Sequence, residues 1–154
     1  MESISVTNKN YLITTNQQVF NYEKIYDFIS NQSYWAAGIP MDILKRSIAN
    51  SLSFGLFYNG EQIGFARVIT DYATFGYLAD VFIDPKFRGK GLASWLMETI
   101  LSHPALPGLR RWMLATRDAH GLYEKYGFTK LLNPERIMEI SKPGIYQSSD
   151  NSDN

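Results

Sequence analysis

The chain of 154 residues contains no cysteine. Disulfides, thiolate metal sites and a cysteine nucleophile are therefore excluded, and nothing in the chain asks for an oxidising compartment. It also lacks net charge, with 15 basic residues against 15 acidic ones. A neutral chain exerts no global pull on nucleic acid, so any anion it binds is held by local geometry. No apolar run approaches the ~20 residues that span a bilayer. The N-terminus, Met1 to Asn10, has neither the basic start nor the apolar stretch of a secretion signal. These absences predict a cytoplasmic protein that engages neither membrane nor nucleic acid. Two histidines without cysteine make a poor metal signature, and no metal is expected.

What the chain has in quantity is apolar and aromatic: 45% of residues are hydrophobic and 14% aromatic. That is enough for a real core and for the wall of a pocket. No repeat or linker divides the chain, so residues 1–146 read as one domain. Residues 147–154 are Ser, Asp and Asn with one Gln, a polar tail with nothing to bury.

Tyr11 to Thr14 reads as a first strand. Tyr22, Ile25, Tyr26, Phe28 and Ile29 recur at helical intervals, and Pro40 opens a second helix carrying Ile43, Leu44 and Ile48. A hairpin follows, Phe54 to Tyr58 returning through Asn59-Gly60 into Gln62 to Thr70. Tyr77 to Ile83 is a further strand, stopped by Asp84-Pro85. Gly91 to Leu101 is a helix, Arg111 to Thr116 a strand, and Ala119 to Tyr126 a short helix closed by Gly127. Phe128 to Leu132 and Arg136 to Ile140 read as closing strands. An antiparallel start followed by strand, helix, strand, helix predicts an α/β (α+β) domain: a mixed, mostly antiparallel sheet with helices on both faces. Exposed strand edges at the C-terminal end permit a homodimer without requiring one.

The most informative stretch is Val81-Phe82-Ile83-Asp84-Pro85-Lys86-Phe87-Arg88-Gly89-Lys90-Gly91-Leu92-Ala93. A strand ends, a loop with two glycines follows, and a helix begins. The first N–H groups of a helix have no partner inside it and sit at the positive end of its dipole. Gly89 and Gly91 let an anion approach the backbone closely, and Arg88 and Lys90 add charge. The expected ligand is a phosphate or pyrophosphate. A plain glycine turn with solvated basic residues is the competing reading. A dinucleotide fingerprint fits poorly, because Ser94 stands where glycine or alanine belongs and no acidic residue follows at the required distance. An ATP-type loop is excluded, because no Gly-Lys-Ser/Thr closes it.

The segment resembles the pyrophosphate loop of the GNAT acetyltransferases, Arg/Gln-x-x-Gly-x-Gly/Ala, which Arg88 to Ala93 matches at every fixed position. A second stretch, Ala119-His120-Gly121-Leu122-Tyr123-Glu124-Lys125-Tyr126-Gly127-Phe128, is similar to the family's Ala-x-x-Leu-Tyr-x-x-x-Gly-Phe segment. The resemblance covers roughly residues 10 to 140. It implies acetyl-CoA as cosubstrate, its pyrophosphate on the backbone of Arg88, Gly89, Lys90, Gly91, Leu92 and Ala93. The pantetheine arm would run along Val81, Phe82 and Ile83. It also implies direct transfer to an amine in a ternary complex, with Tyr123 protonating the departing thiolate. A core aromatic is the alternative role for Tyr123. Arg117 stands where many members carry asparagine, and it either contacts the cofactor or caps the strand end.

A protonated amine is no nucleophile, so something must take its proton. Asp80 is the first candidate, because a carboxylate in so apolar a strand is costly unless it is paired or used. Alternation puts Asp80 and Phe82 on one face, Val81 and Ile83 on the other. The competing reading pairs Asp80 with a backbone N–H or with Arg67. His120 is a second candidate base, and His103 a helix-end residue. By family resemblance the acceptor site lies around the loop between the first two helices. Tyr34 and Trp35 are candidates for an apolar or cation-binding wall, and Asp71 and Tyr72 for a second edge. The acceptor is expected to be a small molecule or an exposed amino group. A non-catalytic CoA-binding or sensing domain is the alternative from another class, and a nucleotide-binding oxidoreductase a third.

Overall fold

The computed structural model describes residues 1–147. A single sheet of six strands runs in chain order: β1 (Ser5–Asn8), β2 (Tyr11–Thr14), β3 (Leu52–Tyr58), β4 (Glu61–Thr70), β5 (Phe75–Ile83) and β6 (Arg111–Leu114). The first five are antiparallel neighbours, and β6 lies parallel to β5. A parallel neighbour needs a crossover. Helix α3 (Leu92–Leu101) supplies it here, so the loop with Gly89 and Gly91 falls between the two strands that pair in parallel.

Two apolar clusters sandwich the sheet. On one face α1 (Tyr22–Tyr26) and α2 (Met41–Ala49) bury Ile25, Leu44 and Ile48 against Phe57, Phe65 and Phe82. On the other, α3 buries Leu96, Met97 and Ile100 against Phe54, Ala66, Val68 and Leu78, beside Tyr123 of α4 (His120–Glu124). Burial of these stripes is what holds such short helices, because helices of this length are marginal alone. Asn21 caps α1 by accepting from the Lys24 N–H. The helical run expected over 22–29 does form, but it widens after Tyr26 into a π-type turn, Asp27–Gln32. There the Ser33 N–H reaches Phe28 rather than the residue one closer.

Two expectations need correction. Ser5–Asn8 is a strand although it is polar and exposed, because it only has to pair with β2 at the sheet's outer edge. Phe128 to Leu132 and Arg136 to Ile140 are not strands among the described residues; the second begins in a single 3-10 turn, Pro134–Arg136. Both segments hold apolar residues, but a strand exists only by pairing, and among the described residues no strand pairs with either. The expected tail, 147–154, lies outside the described residues from 148 onward. No helix among the described residues is long and apolar enough to cross a membrane.

Candidate active site

The site begins with a miscount between β4 and β5. Arg67 faces Ala79 and Phe65 faces Phe82, so Ala66 alone spans Asp80 and Val81. This is a β-bulge, and Asp80 carries it at φ +56°, a left-handed conformation unusual for a residue with a side chain. The extra residue reverses the alternation along β5. Leu78 joins the α3 cluster while Phe82 joins the α1–α2 cluster. As alternation within 80–83 predicts, Asp80 and Phe82 share a face.

The Asp80 side chain is buried and fully engaged. Its Oδ2 accepts from Arg67 Nε at 2.6 Å, and its Oδ1 accepts from the Trp35 indole N–H at 2.7 Å. A buried carboxylate is tolerable when it is paired and hydrogen-bonded in this way. The contacts continue on both sides. Arg67 also donates to Ser51 Oγ. Trp35 meets Tyr34 edge-on, with ring centres 5.1 Å apart, and the Arg117 guanidinium lies 3.9 Å from the centre of the Tyr34 ring. The Arg117 N–H donates to the Tyr34 hydroxyl. The strand end expected to hold Arg117 is thus tied to the loop expected to hold the acceptor.

Pairing of β5 with β6 runs from Phe75↔Arg111 to Leu78↔Leu114 and ends there. Beyond it the strands diverge around a cleft of about 710 Å³. Trp35, Arg67, Tyr77, Asp80, Arg117 and Tyr123 are among the residues that line it. Tyr123 is buried but for its edge in the cleft, and its hydroxyl makes no hydrogen bond within the protein among the described residues. Burial pushes its pKa up, with further upward pushes from Tyr34 and Asp118. The group therefore keeps its proton at neutral pH and can donate it.

Residues Val81 to Ile83 carry the chain from this cleft to the loop at 88–91. Gly89 and Gly91 both take φ +77°, and added side chains there would meet no atom within 4 Å. The N–H groups of Gly89 to Ala93 make no backbone hydrogen bond among the described residues. They surround the start of α3, which is the arrangement that binds anions. Arg88 braces the loop by donating from Nε to the Ile83 carbonyl, and Tyr126 of the segment after α4 donates its hydroxyl to the Ser94 carbonyl. That second bond fixes the Tyr123 helix relative to the loop. The backbone fits a diphosphate, and the opening between β5 and β6 fits an extended arm with amides.

The acetyltransferase (GNAT) family model matches residues 22–128, which includes the bulge, the loop and Tyr123. The chain belongs to this family. A Gibberella zeae protein, FG08082, whose name assigns it provisionally to the acetyltransferases, is 35% identical over 141 residues, covering 77% of this chain and 78% of its own. A crystal structure from Xanthomonas campestris pv. campestris, described as belonging to the GNAT family, is 47% identical with a TM-score of 0.87. It covers 88% of this chain and 96% of its own. A GNAT acetyltransferase from Elizabethkingia anophelis, solved with acetyl-CoA bound, shares the fold at 16% identity and a TM-score of 0.59, over 89% of this chain and 92% of its own.

Within this GNAT domain the second expected acceptor edge stands apart from the cleft. Asp71 and Tyr72 sit at the tip of the β4–β5 hairpin. The Asp71 carboxylate accepts from the N–H groups of Ala73, Thr74 and Phe75 and from the Thr74 hydroxyl. Those donors, led by the Thr74 hydroxyl, hold its pKa well below the ordinary carboxylate range. Its charge is spent on closing a turn. Tyr146 was not singled out from sequence, yet it lines the cleft and packs on the Ile39 cluster. Only a lone aromatic before a polar tail marked it. His103 follows the end of α3 and is buried, and its Nδ1 accepts from the Ala105 N–H.

The strand-to-loop junction is pinned by Asp84. Its Oδ2 accepts from Lys24 Nζ at 2.6 Å, and its Oδ1 accepts from the Lys86 N–H. The Lys24 hydrogen bond, with the Lys86 N–H and both lysine charges, holds the Asp84 pKa below its ordinary value against the cost of burial. A depressed folded-state pKa gives stability that is complete above the unfolded value of ~3.9 and lost as pH falls through the folded one. Asp84→Asn should therefore cost about 1.5–3 kcal/mol in urea unfolding at pH 7. The difference from the parent protein should shrink below about pH 4. A difference that is the same at pH 7 and pH 3 would show that the Asp84 charge carries none of it.

Proposed function

We propose that this chain moves an acetyl group from acetyl-CoA to a primary amine of a small molecule, or to an exposed amino group, by direct attack in a ternary complex. One observation carries the reading. A single strand, β5, leads from an open cleft beneath Tyr123 to a helix start whose N–H groups are unpaired. The acetyl-CoA bound by the Elizabethkingia anophelis neighbour supports it, since both chains share the fold.

The cosubstrate supplies an activated acyl carbon and a thiolate leaving group. The residues of the chain do the rest. The amides of residues 88 to 93 hold the diphosphate, and Arg88 and Lys90 add charge beside it. The parted edge of β5 at Val81 to Ile83 offers main-chain groups to the pantetheine amides. Tyr34 and Trp35 form the wall that meets the acceptor. Asp80 takes the amine's proton, directly or through a water. Each of its oxygens keeps a lone pair beyond the one bonded to Trp35 or Arg67, so the donors aim the carboxylate without exhausting it. Tyr123 gives its hydroxyl proton to the departing sulfur, and its raised pKa keeps that proton available.

Gly91→Glu should abolish CoA binding in calorimetry while the far-ultraviolet circular dichroism stays unchanged, because the new side chain projects into open space where the diphosphate lies. Normal affinity in that variant would remove the loop from the site. Tyr123→Phe should lower acetyl transfer by about 100-fold or more, with CoA affinity retained. If turnover is unaffected, the hydroxyl is not the acid. Asp80→Asn should slow transfer at neutral pH and recover part of the rate at high pH, where the amine arrives deprotonated. A loss that is uniform with pH would assign Asp80 to positioning Trp35 alone. A chain that binds CoA yet releases no free thiol with any of a panel of amines, amino acids and amino-bearing antibiotics would be a non-catalytic binding domain.

A further inference from the structure

The charged side chains that line the cleft, among the described residues, fall into two unlike pairs. Arg67 and Asp80 are joined at 2.6 Å and cancel each other. Arg117 and Asp118, just past the end of β6, are both exposed and form no ion pair among the described residues. The Arg117 guanidinium rests 3.9 Å from the centre of the Tyr34 ring, yet none of its N–H groups meets an acceptor there. A ring contact fixes where the charge sits and leaves the donors of the fork unused. The Asp118 carboxylate likewise accepts no hydrogen bond among the described residues. Its charge is felt at Tyr123, whose pKa is raised first by burial and then by Tyr34 and Asp118.

The contacts of Arg117 decide which ligand it faces. Guanidinium and backbone N–H both go to Tyr34, on the loop between α1 and α2, and none goes to residues 88–93. The cation is therefore held on the acceptor side of the cleft rather than at the diphosphate. The rest of this wall is apolar and only partly covered. Tyr34 is 48% and Trp35 38% exposed, with Tyr77 and Tyr146 half-buried in the same cleft. Aromatic surface left open in a concave site calls for an apolar ligand group to cover it.

An unused cation next to an unused anion, backed by aromatic rings, matches a zwitterion with an apolar body. We propose, on the acetyl-transfer reading, that the acceptor is a free α-amino acid with an aromatic or large apolar side chain. Its carboxylate accepts from the Arg117 guanidinium, a fork suited to that planar group. Its amino group faces the Asp118 and Asp80 carboxylates, and its side chain covers Trp35. The ammonium nitrogen gives up two protons as it bonds the acetyl carbon and the carbon–sulfur bond breaks. One leaves for solvent by way of Asp80, and the other makes good the proton that Tyr123 gives to sulfur.

The test is calorimetry on the full chain with CoA bound, using phenylalanine against 2-phenylethylamine and leucine against 3-methylbutylamine. The members of each pair differ only in the carboxylate. In at least one pair the amino acid should bind on the order of 10-fold more tightly, the effect of a hydrogen bond between charged groups. Arg117→Gln should remove that preference while the amine and CoA bind as before. A merely structural role for Arg117 would instead weaken both members of the pair alike. Amino acids that bind no better than their amines, a preference that survives Arg117→Gln, or a loss of CoA affinity in that variant would each overturn the proposal. Thiol release separates it from the reaction itself. Amino acids that bind through Arg117 without any thiol release would keep the zwitterion site and remove acetyl transfer. Amines acetylated as well as their amino acids would keep acetyl transfer and remove the zwitterion site.

Discussion

At Asp80 the fifth strand carries one residue more than its antiparallel partner can match, and the geometry of the site follows from accommodating it. A left-handed backbone at a residue with a side chain costs of order 1–3 kcal/mol. Here the surroundings hold it in place: Arg67 and Trp35 engage both carboxylate oxygens, and Phe82 is stacked on Phe28 with ring centres 4.1 Å apart just beyond. The bulge at Asp80 lies two residues beyond Leu78, where the pairing of β5 to β6 ends. Strand pairing on one side and an open edge on the other are thereby reconciled in the same few residues.

The same local event links the cleft to the loop before α3. Downstream of the bulge, β5 delivers the chain to a loop whose glycines adopt positive φ, and the helix that follows presents unpaired amides. Upstream, the paired half of the strand keeps Tyr77 and Leu78 in the sheet. The cleft between β5 and β6 is lined by a chain of contacts, Arg117 on Tyr34, Tyr34 on Trp35, Trp35 on Asp80, Asp80 on Arg67. Arginine at position 117 supplies a flat cation that stacks on the Tyr34 ring. It binds the loop between α1 and α2 to the end of β6.

Several of these placements were legible from residue type and spacing. The loop at 88–93 and the segment at 119–128 stand out because both need particular small or aromatic residues at fixed separations. Asp80 stood out because an acid in an apolar strand needs a partner, and Arg67 was one of the partners weighed. Asp71 shows the opposite case. An exposed acid near a presumed pocket suggests attraction of an amine, but the Asp-Tyr-Ala-Thr order equally suits a turn in which the carboxylate caps following N–H groups, and the turn is what forms. Tyr146 was marked only as a lone aromatic before a polar tail, since its position depends on a return of the chain that no local pattern encodes.

Local chemistry by itself determined the helices, the hairpins, the mixed sheet and the loop at the start of α3, because periodicity, turn residues and helix ends act over a few neighbouring positions. Tertiary structure alone decided which alternating segments became strands. Ser5–Asn8, mostly polar, is a strand because β2 pairs with it, and Arg136 to Ile140, with more apolar residues, is not, because no described strand pairs with it. It also decided the bulge, since a register mismatch is a property of two strands together. A strand's hydrogen bonds are made to another part of the chain, so its existence, its register and the cleft at its open edge are settled only when that other part arrives.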